Sequence, residues 1–228
     1  MGVKDNTVKK EIPFTILFST LLMVLAFDNI FDKNIINTIT RTDGIVILLF
    51  FMIFIYYLVT VMISDKKKNK KSDNNDPKYN IFYSIVFTIL GLIGIVIGSN
   101  FVVDNATAIA KILNVSEKMI SLTIVAFGTS LPELVTSVQA SRKGENDIAI
   151  GNIIGSNIFN IGVVIGIPAA FIGQINVGTF NYIDMFTMII SAILLFMLTF
   201  KSRKLGKFEG IIMLGLFALY YTYGIIGG

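Results

Sequence analysis

Neither cysteine nor histidine occurs anywhere in this 228-residue chain. The first absence excludes disulfides, thiolate metal sites and thiol nucleophiles. The second removes the commonest general base and proton relay. Charge is scarce as well: 15% of the residues are Asp, Glu, Lys or Arg, against about 25% in an ordinary soluble domain. What fills the chain instead is apolar. Hydrophobic residues make up 54% of it, gathered in runs near the ~20 residues that cross a bilayer. A soluble core would account for one such run and not for seven. Met1 to Lys10 is polar, so the run that follows reads as a true span and not as a cleavable signal peptide. The formal charge is +4, but the basic residues lie in loops between the runs, so the expected partner is a lipid bilayer and not nucleic acid.

Hydropathy places spans at roughly 12–30, 45–63, 81–103, 117–140, 148–168, 181–200 and 209–226. The expected class is an all-α polytopic membrane protein of about seven transmembrane helices. The polar stretch Ser64 to Asn80 is the one clear linker, and its run of lysines reads as a solvated segment. Alternating the spans sorts the loops into two sets. One holds Lys4, Lys9, Lys10, Lys66, Lys67, Lys68, Lys70, Lys71, Lys78, Arg142, Lys143, Lys201, Arg203, Lys204 and Lys207; the other holds only Lys33, Arg41, Lys111 and Lys118. Because cytoplasmic loops carry the excess of Lys and Arg, the N-terminus is expected inside and the C-terminus outside.

The chain also resembles itself. Glu11-Ile-Pro-Phe and the apolar run after it align with Asp184-Met-Phe-Thr and its run. Asp43-Gly-Ile-Val-Ile-Leu aligns with Glu209-Gly-Ile-Ile-Met-Leu, and both lead into tyrosine-rich helices. The first two spans therefore match the last two, while the three spans from about Ile81 to Pro168 have no counterpart upstream. On the inverted-repeat plan common among transporters, two five-span halves are expected. The chain then starts where a fourth span would start, either from a natural start codon or from an interior methionine of a longer protein. Its expected divisions are 1–63, the last two helices of an incomplete first half; 64–80, a cytoplasmic linker; and 81–228, a second five-helix half.

The chemistry concentrates in Ile124-Val-Ala-Phe-Gly-Thr-Ser-Leu-Pro-Glu-Leu-Val135 and Gly151-Asn-Ile-Ile-Gly-Ser-Asn-Ile-Phe-Asn160. Gly128 and Pro132 bracket Thr129, Ser130 and Leu131 within one span. Proline removes an intrahelical hydrogen bond and glycine leaves the helical region cheaply, so a helix broken near mid-membrane is expected. Carbonyls freed there must be buried in protein or line a watery cavity. Glu133 follows the break among Leu131, Leu134 and Val135. An ionisable group at that depth costs at least ~2.5 kcal/mol and marks a functional position. A buried Lys or Arg partner would be the ordinary explanation, and no basic residue lies in the apolar part of any span.

In the next span Gly151, Gly155 and Gly162 are small residues that let helices approach. Asn152, Ser156 and Asn160 recur every four residues and share a helical face. Asn152 and Asn157 fit an interhelical hydrogen-bond seam, whereas Ser156 and Asn160 fit ligand positions. One carboxylate, hydroxyls, an amide and bare carbonyls suit Ca2+ and Na+ and not zinc, copper or iron. Ser130 or Ser156 as a protease nucleophile would need a base within reach, and none is available, so an enzyme is not expected.

GTSLPE and GNIIGSNIFN, with Asn146-Asp-Ile-Ala149 between them, closely resemble an alpha-repeat of the sodium/calcium exchanger superfamily. The resemblance implies a partial sodium/calcium exchanger fold in which residues 117–168 are the second alpha-repeat with broken helices, and the flanking pairs are the fourth and fifth, and ninth and tenth, helices. It implies antiport of Na+ against Ca2+ by alternating access at the plasma membrane, with the two ions as transported substrates and no cofactor. By motif position Glu133 would be the carboxylate shared by both ions. Thr129 and Ser130 would supply hydroxyl or carbonyl oxygens, Ala126 a backbone carbonyl, and Ser156 a Na+ ligand. Asn160 stands where some members have aspartate, which leaves stoichiometry and the coupling ion open, so proton- or K+-coupled Ca2+ exchange stays an alternative. The matching glutamate of a first alpha-repeat is not in this sequence. The expectation is a subunit or fragment whose site is completed by another chain or segment, or else a truncated exchanger that does not transport.

Overall fold

The computed structural model describes residues 2–27, 37–69, 80–115, 117–177 and 182–226. Helix dominates, because a backbone in hydrocarbon must satisfy its own N–H and C=O groups. A π-helical turn at Thr7–Glu11 enters α1 (Ile12–Ala26), followed by α2 (Arg41–Asn69) and α3 (Ile81–Ile112). A composite helix comes next: α4 (Glu117–Ile120), a π turn at Ser121–Val125, α5 (Ala126–Thr129) and α6 (Leu131–Arg142). Then α7 (Asn146–Phe159) continues through a π segment, Asn160–Ile165, into α8 (Gly166–Ile172), and α9 (Tyr182–Phe200) and α10 (Lys207–Ile226) complete the order.

Among the described residues four stretches are long and apolar enough to cross a membrane: Arg41–Ser64, Ile81–Ile112, Asn146–Ile172 and Tyr182–Phe200. The expected runs at 45–63, 81–103, 148–168 and 181–200 fall on them. The remaining expected runs fall on helices of another kind. α1 has 15 residues, the helix from Glu117 to Arg142 is interrupted, and α10 carries Lys207 and Glu209 in its first turn. Residues 28–30 of the first expected run, Lys33, and residues 70–79 of the expected linker lie outside the described residues. α2 stays helical through Asn69, and α3 continues past Asp104 and Asn105 to Ile112. Hydropathy marks the apolar slab; it does not mark where a helix stops.

Inside the helices, hydroxyls turn back onto their own chain. Thr15, Thr20, Thr60, Thr88 and Thr199 each donate to the carbonyl four residues earlier, at 2.7–3.2 Å. This satisfies a polar side chain without a partner helix.

The best-packed region joins α1, α2, α7, α8 and α9. Ile12, Phe18, Leu22, Ile47, Ile154, Ile158, Ala169 and Met185 are buried in one cluster, and Phe14, Phe54 and Tyr57 pack ring against ring at its edge. α8 lies so close to α2 that a Cβ on Gly44 would overlap the backbone of Ala170. Gly173 ends α8 with a left-handed φ of 106°, its N–H donating to Ala169 O at 3.0 Å.

The internal repeat has a three-dimensional counterpart. Gly2 bridges Lys204 antiparallel, and Val3 N–H donates to Arg203 O at 2.9 Å, so the chain before α1 is tied to the chain after α9. At the opposite end β1 (Thr38–Ile39) pairs antiparallel with β2 (Ile175–Asn176), and Val177 N–H donates to Asn37 O at 3.1 Å, so the chain after α1 is tied to the chain before α9. The two ties are the same motif used twice. They show that α1 and α9 run in opposite directions about an approximate two-fold axis. Asp43 and Glu209, the acidic markers of the repeat, also do the same work: Asp43 Oδ2 accepts from Thr40 N–H at 2.8 Å, and Glu209 Oε2 accepts from Gly206 N–H at 2.7 Å. Each is the third residue of its helix reaching back to the capping residue, half of a capping box.

Candidate functional site

The composite helix breaks at one residue. Ser130, with φ −94° and ψ 0°, separates α5 from α6, and its N–H turns to Phe127 O at 3.1 Å. Pro132 has no N–H to continue the ladder, which is why the interruption falls here. Gly128 contributes in a different way from the one its sequence suggests. It stays helical and buried, and a Cβ there would overlap the Val103 side chain of α3. Its role is close approach of α3.

Past the break, α6 and α7 are locked together by polar groups. Asn152 Nδ2 donates to Glu133 O at 3.0 Å and to Ser137 Oγ at 2.9 Å, and Ser137 Oγ donates to Ala149 O at 3.3 Å. Asn152 is therefore a seam residue, as its spacing allowed. The seam sets the register of the two helices and brings Glu133 to the face that carries Ser156 and Asn160. Gly151 and Gly155 have open space where a side chain would go, whereas a Cβ on Gly162 would overlap the Phe51 ring of α2. Of the three glycines, Gly162 is the one used for close packing.

A cavity of about 480 Å³ lies between α6 and α7. Thr129, Ser130, Glu133, Ser156 and Asn160 line it, together with Leu134, Ser137, Ile153 and Asn157. Five of the six candidate residues thus meet at one place. The sixth, Ala126, lines an adjoining cavity with Phe127, Ser130 and Tyr220, and its carbonyl accepts from Thr129 Oγ1 at 3.0 Å. Ser156 Oγ donates to Ile153 O at 3.1 Å, which leaves its lone pairs for the cavity. Ser137 and Asn157 complete the lining. Ser137 was legible in principle, since it stands one helical turn after Glu133 on the same face.

Among the described residues, Glu133 is the one acidic side chain lining this cavity. Its Oε2 is buried, with no hydrogen-bond partner among the described residues. None of the ion pairs among those residues reaches it: Lys4–Asp147, Lys9–Asp5 and Arg203–Asp5 all lie at the end of the molecule where the Gly2–Lys204 bridge sits. A buried carboxylate oxygen left without a donor costs free energy unless a cation meets it. The other acid near this region, Asp184 at the start of α9, accepts from Tyr220 Oη at 2.9 Å and faces neighbouring cavities. Its position inside an expected span is the signal that could have singled it out. Among the described residues no three acidic side chains come together. The cavity therefore offers one carboxylate with hydroxyl, amide and carbonyl oxygens, a donor set for a hard cation.

Comparison with known proteins gives the same direction. A family model described as sodium/calcium exchanger protein matches residues 83–225. An uncharacterised membrane protein of Methanocaldococcus jannaschii is 37% identical over 147 residues, 64% of this chain and 47% of that one. The sodium/calcium exchanger MaX1 of Methanosarcina acetivorans is 41% identical over 118 residues, 52% of this chain and 34% of its own length. Among solved structures, the sodium-calcium exchanger NCX_Mj soaked with Na+ and Sr2+ superimposes with a TM-score of 0.70 at 32% identity, covering 96% of this chain and 66% of that one. The chain thus spans about half the length, or less, of the curated relatives it matches. The match runs through α3 to α10 and contains both motifs and the cavity they line, and on that ground the chain is an integral membrane protein of the sodium/calcium exchanger family.

Proposed function

We propose that this chain carries one half of the ion site of a cation antiporter that exchanges Na+ for Ca2+. The observation behind it is the buried, unpartnered Oε2 of Glu133 in a cavity of neutral oxygen ligands. Glu133 is the charged ligand shared by Na+ and Ca2+; Thr129, Ser130, Ser156 and Asn160 add oxygens around it, and the Ala126 carbonyl borders the site. With one formal negative charge, the half-site alone binds Ca2+ weakly, because charge count sets much of the affinity of such sites. A first alpha-repeat segment, from another chain or a longer form of this one, supplies the opposing carboxylate. Alternating access follows from the two halves rocking about the ions, as inverted-repeat transporters do. In this reading all seven expected runs span a cell membrane, and the end holding Lys4, Lys9, Arg203 and Lys204 is cytoplasmic. The clustering of those residues at one end of the molecule supports that orientation.

The test is radiolabelled Ca2+ uptake into Na+-loaded vesicles holding this chain, alone and with a segment that completes the first half. Uptake driven by an outward Na+ gradient and lost in Glu133→Gln is the expected result. Undiminished Na+-driven uptake in Glu133→Gln would remove Glu133 from the site. Uptake that follows a K+ or proton gradient in place of Na+ would reassign the coupling ion.

A further inference from the structure

The two copies of the repeat differ at the contact between their paired helices. In the first copy α1 meets α2 through rings. Phe14 and Phe18 pack edge-on against Phe54, with centroids 5.3 and 6.4 Å apart. The alignment of Glu11 with Asp184 pairs Phe14 with Thr187 and Phe18 with Ser191. That of Asp43 with Glu209 pairs Phe54 with Tyr220. Three phenylalanines therefore give way to three hydroxyl-bearing residues. Where the rings interlock in the first copy, the second has a cavity of about 370 Å³ between α9 and α10, and Asp184, Thr187, Ser191 and Tyr220 line it. Asp184 also borders the cavity that holds Ala126 and Ser130, and the one that holds Asn157 and Asn160. The recess thus adjoins the Glu133 site without containing Glu133.

An acid in the first turn of a helix is accounted for by the helix dipole, which favours a carboxylate at that place. The hydroxyls are not, because a polar group in an apolar slab costs free energy unless something polar meets it. Two of them spend their protons within the protein. Tyr220 Oη donates to Asp184 Oδ1 at 2.9 Å, and Ser191 Oγ donates to Met188 O at 2.8 Å. Oxygen lone pairs are then what they offer the cavity. A carboxylate with hydroxyl oxygens is a donor set for a hard cation. Among the described residues Asp184 is the one acid lining this recess. Its repeat mate Glu11 stands at the start of α1, and α1 runs opposite to α9, so the two acids lie at opposite ends of the molecule. The two-fold axis brings no second carboxylate here. One carboxylate neutralises a monovalent ion, whereas a divalent ion would keep a net charge in a low dielectric.

We propose that Asp184, Thr187 and Tyr220 form a second cation site, distinct from Glu133 and built for the monovalent ion Na+, with Ser191 one turn further along the same recess. The site goes beyond the antiporter reading and does not depend on Glu133.

The test is binding of radiolabelled Na+ to the purified chain in detergent, with Glu133→Gln present throughout so that the first site carries no charge. Saturable Na+ binding that persists in Glu133→Gln and is lost on adding Asp184→Asn is the expected result. Thr187→Val, close in shape but without the hydroxyl, should weaken the same binding, and excess unlabelled Ca2+ should leave it in place. Absence of saturable Na+ binding in Glu133→Gln would overturn the proposal. Binding untouched by Asp184→Asn, or displaced by Ca2+ as readily as by Na+, would do the same. Thermal unfolding shows whether the Asp184→Asn chain is folded. If it is not, Thr187→Val and Tyr220→Phe decide, and unchanged Na+ affinity in both sinks the site.

Discussion

α2 and α10 share their start, their spacing of large and small residues and their tyrosines, yet they live in different surroundings. Leu48 and Phe51 of α2 are half-buried, while their counterparts on α10, Leu214 and Phe217, are exposed. The capping contacts are the same in kind, from Asp43 to Thr40 and from Glu209 to Gly206. Local sequence therefore sets where each helix begins, and the neighbour decides what the helix buries. Glycine makes the difference measurable, because the same residue is tightly enclosed at position 44 and open at position 210.

The largest effect expected from this pair is at Gly44. Gly44→Leu must push the α8 backbone away at Ala170, and overpacking of that kind costs about 1–3 kcal/mol or more. Gly210→Leu has open space and is expected to leave the thermal midpoint of the chain in detergent essentially unchanged. Equal losses at the two glycines would break the comparison. A smaller effect is expected at the caps. Asp43→Ala removes an acceptor that meets both the N–H and the hydroxyl of Thr40, at a cost of about 1 kcal/mol. Glu209→Ala is expected to cost less, since Gly206 has no side chain to complete the box. Thermal unfolding of the two variants side by side ranks them.

Much of this was legible in the sequence because a bilayer enforces simple rules. Apolar runs announced helices, Gly128 and Pro132 announced a break, and the four-residue spacing of Asn152, Ser156 and Asn160 announced a polar face. The break itself is narrower than the spacing suggested, one residue at Ser130. The helix ends were not legible: α3 passes Asp104 without stopping, because a charged residue ends the apolar slab but not the hydrogen-bond ladder. The π turns at Ser121–Val125 and Asn160–Ile165 left no sequence signal of their own. The aligned Asp43-Gly and Glu209-Gly pairs showed a repeat, but the cap and the close packing they encode needed coordinates. Glu133 was singled out by its charge just past the expected break and by its motif position, and Asp184 was passed over because it served only as a marker of the repeat.

The smallest expected effect separates the two ties. The Gly2–Lys204 tie is flanked by Asp5, whose carboxylate pairs with Lys9 and Arg203, whereas the β1–β2 tie is braced by Arg41 Nη2 donating to Phe171 O at 3.3 Å. The hydrogen bond from Lys9 holds the Asp5 pKa below its ordinary 3.8, against the opposing effect of desolvation and with help from the Lys9 and Arg203 charges. A depressed carboxylate pKa stabilises the folded state above the unfolded value, and that contribution fades as pH falls through the folded value. The tie at Gly2 should therefore loosen below pH 3.8 while the β1–β2 tie holds. Hydrogen exchange reads this at two equivalent amides, Val3 N–H on Arg203 O and Val177 N–H on Asn37 O. After correction for intrinsic rates, Val3 is expected to lose more protection than Val177 on acidification. Because the Asp5 pairs are exposed and open to screening, the difference should be modest and shrink in high salt. Asp5→Asn should abolish it, and a difference that survives the substitution would place its origin somewhere other than these ion pairs.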